Sequence, residues 1–316
     1  LDPDEVYLFE LGSDGQWALA QTVLPFDGGE DLGGALLLEP DLLVVGAVVA
    51  MEVSIYERNS GAFVGVDRIQ GPADGVDFGR ALAHVGDAIY VGAARDSTNG
   101  TNAGAVYRIE PEGTQWGSPE RTGVASAAGQ FVGRTLSATE DLLLVGGDNS
   151  AAVYDLSVED VTAVTLPPEH VGFGNEGLAT ADAIFVGAPG GLSDGGFGKV
   201  IVFEGDGNTW NQNGLIEPAE SVSRLSFGAA LAGDGTRLVV GASSPNESRG
   251  GDQVFLYERD ETEQWAEIAR FDSQVEEGEP TSFGLSVALV DDLVFISDSH
   301  APTEGGTGVL HVAACR

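Results

Sequence analysis

Four histidines, one cysteine and fifty acidic side chains are the groups in this chain with obvious capacity for catalysis or metal binding. Their spacing organises none of them into a known site. His84, His170, His300 and His311 are scattered, and His84 and His311 fall in strand-like runs, where a packed or half-exposed ring is expected. Ser297-Asp298-Ser299-His300 has the letters of a catalytic triad, but adjacent residues of an extended segment point different ways and do not meet as nucleophile and base. The chain has no Gly-x-Ser-x-Gly, no His-Glu-x-x-His and no phosphate-cradling glycine loop. No catalytic residue, metal ligand or cofactor is therefore assigned. Cys315 cannot form an internal bridge, which leaves an inert thiol or a pairing with another chain.

Charge narrows the partners. Fifty acidic against fourteen basic side chains give a net charge of -36. Such a field repels nucleic-acid phosphate and anionic lipid headgroups. No segment reaches the roughly 20 apolar residues of a membrane helix, so membrane insertion is not expected. The surface suits a salt-rich habitat or a calcium-rich exterior. Leu1 in place of methionine fits removal of a secretion signal or a cut boundary, and an extracellular or cell-surface location is expected.

The elements that would position any site come from a repeat. An apolar residue and a glycine recur at Leu32-Gly33, Phe78-Gly79, Val132-Gly133, Phe173-Gly174, Phe227-Gly228 and Phe283-Gly284. Thirteen positions after each of these glycines stands Gly46, Gly92, Gly146, Gly187, Gly241 or Ser297, and eight positions after stands Asp41, Asp87, Asp141, Asp182, Thr236 or Asp292. Between the landmarks lie a short apolar stretch, a tight turn and a continuous apolar run such as Ile89-Tyr90-Val91, the pattern of strands buried on both faces. The turn aspartates are read as structural, bonding nearby backbone amides. A third strand follows, as in Ala105–Ile109, and then a fourth whose start is marked by Trp17, Phe63, Trp116, Trp210 or Trp265.

Four strands per unit and no sustained helical period predict an all-β chain, a β-propeller of four-stranded antiparallel blades. Six inner hairpins favour six blades, with seven as the alternative. The whole chain, 1–316, is read as one domain with units near 26–70, 71–124, 125–169, 170–220, 221–275 and 276–316, the last joined by 1–25. Uniting N- and C-terminal strands in one blade would close the ring and remove two exposed edges.

The order Phe-Gly, Gly-Asp turn, Val-Gly-Ala, polar loop, Gly-Ala-Val-Tyr and Trp resembles the FG-GAP repeat. It is clearest in Phe78-Gly79, Val91-Gly92-Ala93-Ala94 and Gly104-Ala105-Val106-Tyr107, and Val186-Gly187-Ala188-Pro189 carries the Gly-Ala-Pro itself. The resemblance implies the propeller fold of integrin α heads and of many secreted bacterial proteins. The calcium loop of integrin-like members is absent, because turns such as Val85-Gly86-Asp87 are too short to supply six to eight oxygens.

Long loops after the second strands gather on one face of such a fold, where binding usually concentrates. They carry the ligand-binding candidates Asp96, Asn99, Asp194, Asn246, Asp298 and His300. Asn99-Gly100-Thr101 and Asn246-Glu247-Ser248 are also glycosylation-type triplets. The expected function is a non-enzymatic extracellular binding or adhesion module for a protein or glycan. The alternatives are a structural subunit of a larger surface assembly and a hydrolase or lyase acting at the propeller mouth.

Overall fold

The computed structural model describes residues 5–25, 32–124, 126–157, 163–166, 171–190, 198–205, 209–218, 226–243, 252–273, 282–298 and 308–315. Among them there is no helix. The chain divides into two compact units, Leu1–Leu136 and Ser137–Arg316.

The first unit opens with a hairpin, Val6–Leu11 paired with Trp17–Val23. The first blade follows as Ala35–Leu38, Leu42–Ala47, Glu52–Asn59 and Ala62–Gln70, each strand antiparallel to the next. The second blade has Phe78–Val85, Ala88–Ala93 and Ala105–Ile109, with Glu120–Arg121 on its outer edge. Between its third and fourth strands stands a separate small hairpin, Pro111–Glu112 with Gln115–Trp116.

Three more four-stranded sheets follow along the chain, at residues 135–166, 176–216 and 227–272. The sixth blade is three-stranded: Val287–Val290, Leu293–Asp298 and Val309–Ala314. All six inner hairpins fall where the repeat predicts them.

Burial explains the composition of each strand. The second strands Leu42–Ala47, Ala88–Ala93 and Ala183–Ala188 are buried at every position, so both faces must be apolar. The repeat phenylalanines plug their own blades. Phe78, Phe173 and Phe227 are fully buried and meet Tyr107, Phe203 and Phe255 edge to face at 5.6, 6.2 and 5.2 Å. The paired glycines mark where neighbouring blades touch. A Cβ on Gly46 would stand 2.1 Å from the carbonyl oxygen of Gly79, and one on Gly187 would stand 2.1 Å from that of Gly228. No side chain fits in that gap.

Two expectations are corrected. Trp17, Trp210 and Trp265 open fourth strands, but Trp116 belongs to the small extra hairpin, and the fourth strand of its blade starts at Glu120. In the turns, the side chains that bond backbone amides are Thr139, Thr180 and Asp234, not the aspartates in register. Those positions act through the main chain instead. The carbonyls of Asp41, Asp141, Thr236 and Asp292 accept the amides of Arg58, Leu156, Arg259 and Cys315 at 2.7–2.9 Å, tying each turn to the end of the third strand.

Candidate functional site

Three of the six candidate ligand residues lie within the described residues; Asp194, Asn246 and His300 lie outside them, as does His170. Asp96 is completely buried. Its carboxylate accepts the phenol of Tyr107 at 2.6 Å, the amide of Thr98 at 2.9 Å and the guanidinium of Arg121 at 3.4 Å. Burial, reinforced by the hydrogen bond and charge of Asp96, pushes the Tyr107 phenol far above its ordinary range. This network pins the base of the loop after the second strand of blade two. A carboxylate so enclosed positions the loop rather than meeting a ligand directly.

Asn99 stands exposed at the tip of that loop, its amide 3.3 Å from the Ser126 hydroxyl. In blade six Asp298 is buried, and the imidazole of His311 lies 3.9 Å away against the ring of Phe283. Ser297 points to the other side, where its hydroxyl bonds both the amide and carbonyl of Ser286. The structure thus separates Ser297 from Asp298, as alternation along a strand requires. Among the described residues no three His, Cys, Asp or Glu side chains gather closely enough to hold a metal ion.

A concave site lies elsewhere, in the first unit. A cleft of about 690 Å³ opens at the ends of the first two blades that carry their tight turns, opposite the long loops. Blade one supplies Glu39 and Asp41 from its first turn, and Glu57 and Arg58 from the end of its third strand. Blade two supplies His84 from its first strand, Asp87 from its first turn, and the hairpin carrying Trp116. The hairpin exists because Pro111 cannot donate to the ladder and ends the third strand at Ile109. It reaches over the outer strand of blade one, where the Trp116 amide donates to Asp67 at 3.0 Å and the indole packs on the core between the blades.

The cleft's polar groups are unevenly paired. His84 Nδ1 lies 3.0 Å from both carboxylate oxygens of Glu39, a bridge from blade to blade. Arg58 is committed to the carbonyls of Pro40 and Gly61, and its guanidinium rests 4.3 Å above the Phe63 ring. The carboxylates of Asp41, Glu57 and Asp87 form no ion pair among the described residues, and all three residues are exposed. Their arrangement beside an indole suits a cationic group. Sequence reading missed this site: it took Asp41 and Asp87 as turn residues, His84 as a packed or half-exposed strand residue and Trp116 as a strand opener. Pro111, Gly113 and Gly117 were the available signal that the chain leaves the blade there.

No protein-family model and no curated protein matches the sequence. Solved structures do. The chain is similar to U3-55K at 12% identity and a TM-score of 0.59, over 94% of this chain and 82% of that one. The WD40 repeats of RRP9 align at 11% identity and 0.59 over 98% and 91%. KlHsv2, with its loop 6CD replaced by a Gly-Ser linker, aligns at 11% and 0.52 over 87% and 74%. At these identities the likeness is one of fold, and it identifies the chain as a β-propeller. Membership of the FG-GAP family has no matching family model behind it and rests on the motifs alone.

Proposed function

We propose that this propeller is a non-enzymatic protein-binding module whose cleft between the first two blades receives a lysine or arginine side chain from a partner. One observation carries the reading: Asp41, Glu57 and Asp87 have no ion-pair partner among the described residues and stand around an aromatic wall, while the nearby Arg58 is tied to backbone carbonyls. A partner cation over the indole would gain both charge pairing and cation–π attraction, about 0.5–2 kcal/mol for the latter. The net charge of -36 adds long-range steering of a basic partner. This reading moves recognition from the long loops to the turn side of the blades. Blades of FG-GAP type and a location outside the cell belong to the same proposal, supported by the repeat motifs and by the solubilising acidic surface.

Binding of short arginine- and lysine-containing peptides, followed by calorimetry at physiological salt, tests it. Glu57→Gln with Asp87→Asn is expected to weaken binding about tenfold, one charge contact's worth. Glu10→Gln with Asp14→Asn, which removes two charges from the N-terminal hairpin, is expected to change little. Equal losses from both pairs would show diffuse attraction to an acidic protein and no cleft site. Cell fractionation checks the location.

A further inference from the structure

The two blades that form the cleft are joined across it by a side-chain bridge. His84 follows Leu82 on one face of its strand, and Leu82 packs with Leu37 of blade one on the core between the blades. Where that apolar face ends at the tight turns, His84 meets Glu39, with Nδ1 3.0 Å from both carboxylate oxygens. A carboxylate only accepts, so the neutral imidazole carries its proton on Nδ1 and donates it to Glu39. Nε2 is the atom left to take up a second proton.

Blade seams elsewhere on the turn side use a different cation. Arg259 of blade five pairs with Glu204 of blade four at 2.6 Å, and Arg237 of blade five pairs with Asp292 in the first turn of blade six at 2.8 Å. A guanidinium is never deprotonated in a protein. An imidazole changes its charge between about pH 5 and 8. The bridge in the cleft is therefore built on a base that titrates where those seams do not.

That proton would alter the charge the partner meets. Around His84, blade one places Glu39, Asp41, Glu57 and Arg58, and blade two places Asp87. The hairpin from Pro111 to Trp116 lines the cleft with no charged side chain. Four carboxylates and one guanidinium leave three negative charges while the imidazole is neutral, and two once Nε2 is protonated. Resting on the reading of the cleft as a site for a partner's cation, we infer that His84 is its pH switch: protonating the imidazole weakens binding, and a bound cation opposes the proton. The bond to Glu39 exists in both states, so the charge changes with no new contact to form. At about 7 Å and an effective dielectric of about 50, one added charge lowers affinity about fivefold. A basic peptide is held at neutral pH and released on acidification.

Calorimetry tests this with the full chain and a histidine-free, arginine-containing peptide with capped ends, at fixed salt and at about pH 7.5 and about pH 5.5, above the ordinary range of carboxylates and below that of guanidinium. The parent is expected to bind about fivefold more weakly at the lower pH. His84→Gln is expected to bring the ratio of the two affinities close to one. A second readout, the titration of the His84 imidazole followed by NMR, needs no variant. Saturating peptide is expected to lower its midpoint by about 0.7 pH unit, the same fivefold seen from the other side. Equal affinity at both pH values, with Glu57→Gln and Asp87→Asn still weakening binding, would overturn the switch and leave the cleft reading standing. A pH dependence that survives in His84→Gln would overturn it too. A peptide that binds at neither pH would remove the cleft reading, and the switch with it.

Discussion

Single residues in this protein do their work through contact distances that leave no tolerance. Gly187 lies against the Gly228 carbonyl so closely that a methyl group would stand 2.1 Å from that oxygen. Gly187→Ala is expected to lower stability by about 1–3 kcal/mol, the usual cost of overpacking, measured as an earlier urea midpoint with an unchanged slope. An unaltered midpoint would mean that blades four and five do not meet there. Asp234 offers a second test through pH. Burial pushes its carboxyl up, but hydrogen bonds from the Arg237 guanidinium and amide and from the Thr236 hydroxyl and amide outweigh burial and hold the pKa to about 2. An unfolded aspartate titrates near 3.9. The folded value is the lower one, so Asp234 stabilises the protein above about pH 4 and that contribution disappears as pH falls toward 2. Asp234→Asn is expected to flatten the stability profile between those limits. A variant with the same slope as the parent there would contradict the assignment.

Elements show where the sequence was readable and where it was not. The strand pairs were legible because their causes are local: an apolar run buried on both faces, a plug such as Phe227, and a glycine at each blade contact. The loop after Ala94 was legible as a loop, but the burial of Asp96 was not, because Tyr107 and Arg121 reach it from two other strands. The cleft was hidden for the same reason: Glu39, Glu57, Asp87 and Trp116 converge from two blades and an inserted hairpin. The role of Asp96 is testable at this scale. Asp96→Ala leaves the Tyr107 hydroxyl and Arg121 without their acceptor, at a cost of about 3 kcal/mol or more. Hydrogen exchange and proteolysis are expected to speed up in residues 97–103 before other parts of the blade open. Protection of that loop equal to the parent's would show that Asp96 does not anchor it.

The whole molecule is governed by its charge as much as by its blades. A net charge of -36 makes the compact state repel itself. Raising salt from about 0.01 M to 1 M shortens the screening length from roughly 30 Å to 3 Å. The melting temperature is therefore expected to rise across that range. A fall would show that specific ion pairs such as Arg237 with Asp292 and Arg259 with Glu204 outweigh the general repulsion.

That same acidity means that attraction to a basic partner is easy and that location is the informative quantity. The chain's four tryptophans report it directly, since Trp17, Trp116, Trp210 and Trp265 sit at separate places and only Trp116 lines the cleft. With the protein labelled by fluorotryptophan and each resonance assigned by a Trp→Phe variant, an arginine-containing peptide can be titrated while all four signals are followed. Recognition in the cleft predicts a saturable shift of the Trp116 resonance, with the buried Trp210 and the other two unmoved. A bound peptide that shifts Trp17 or Trp265 and leaves Trp116 in place would contradict it.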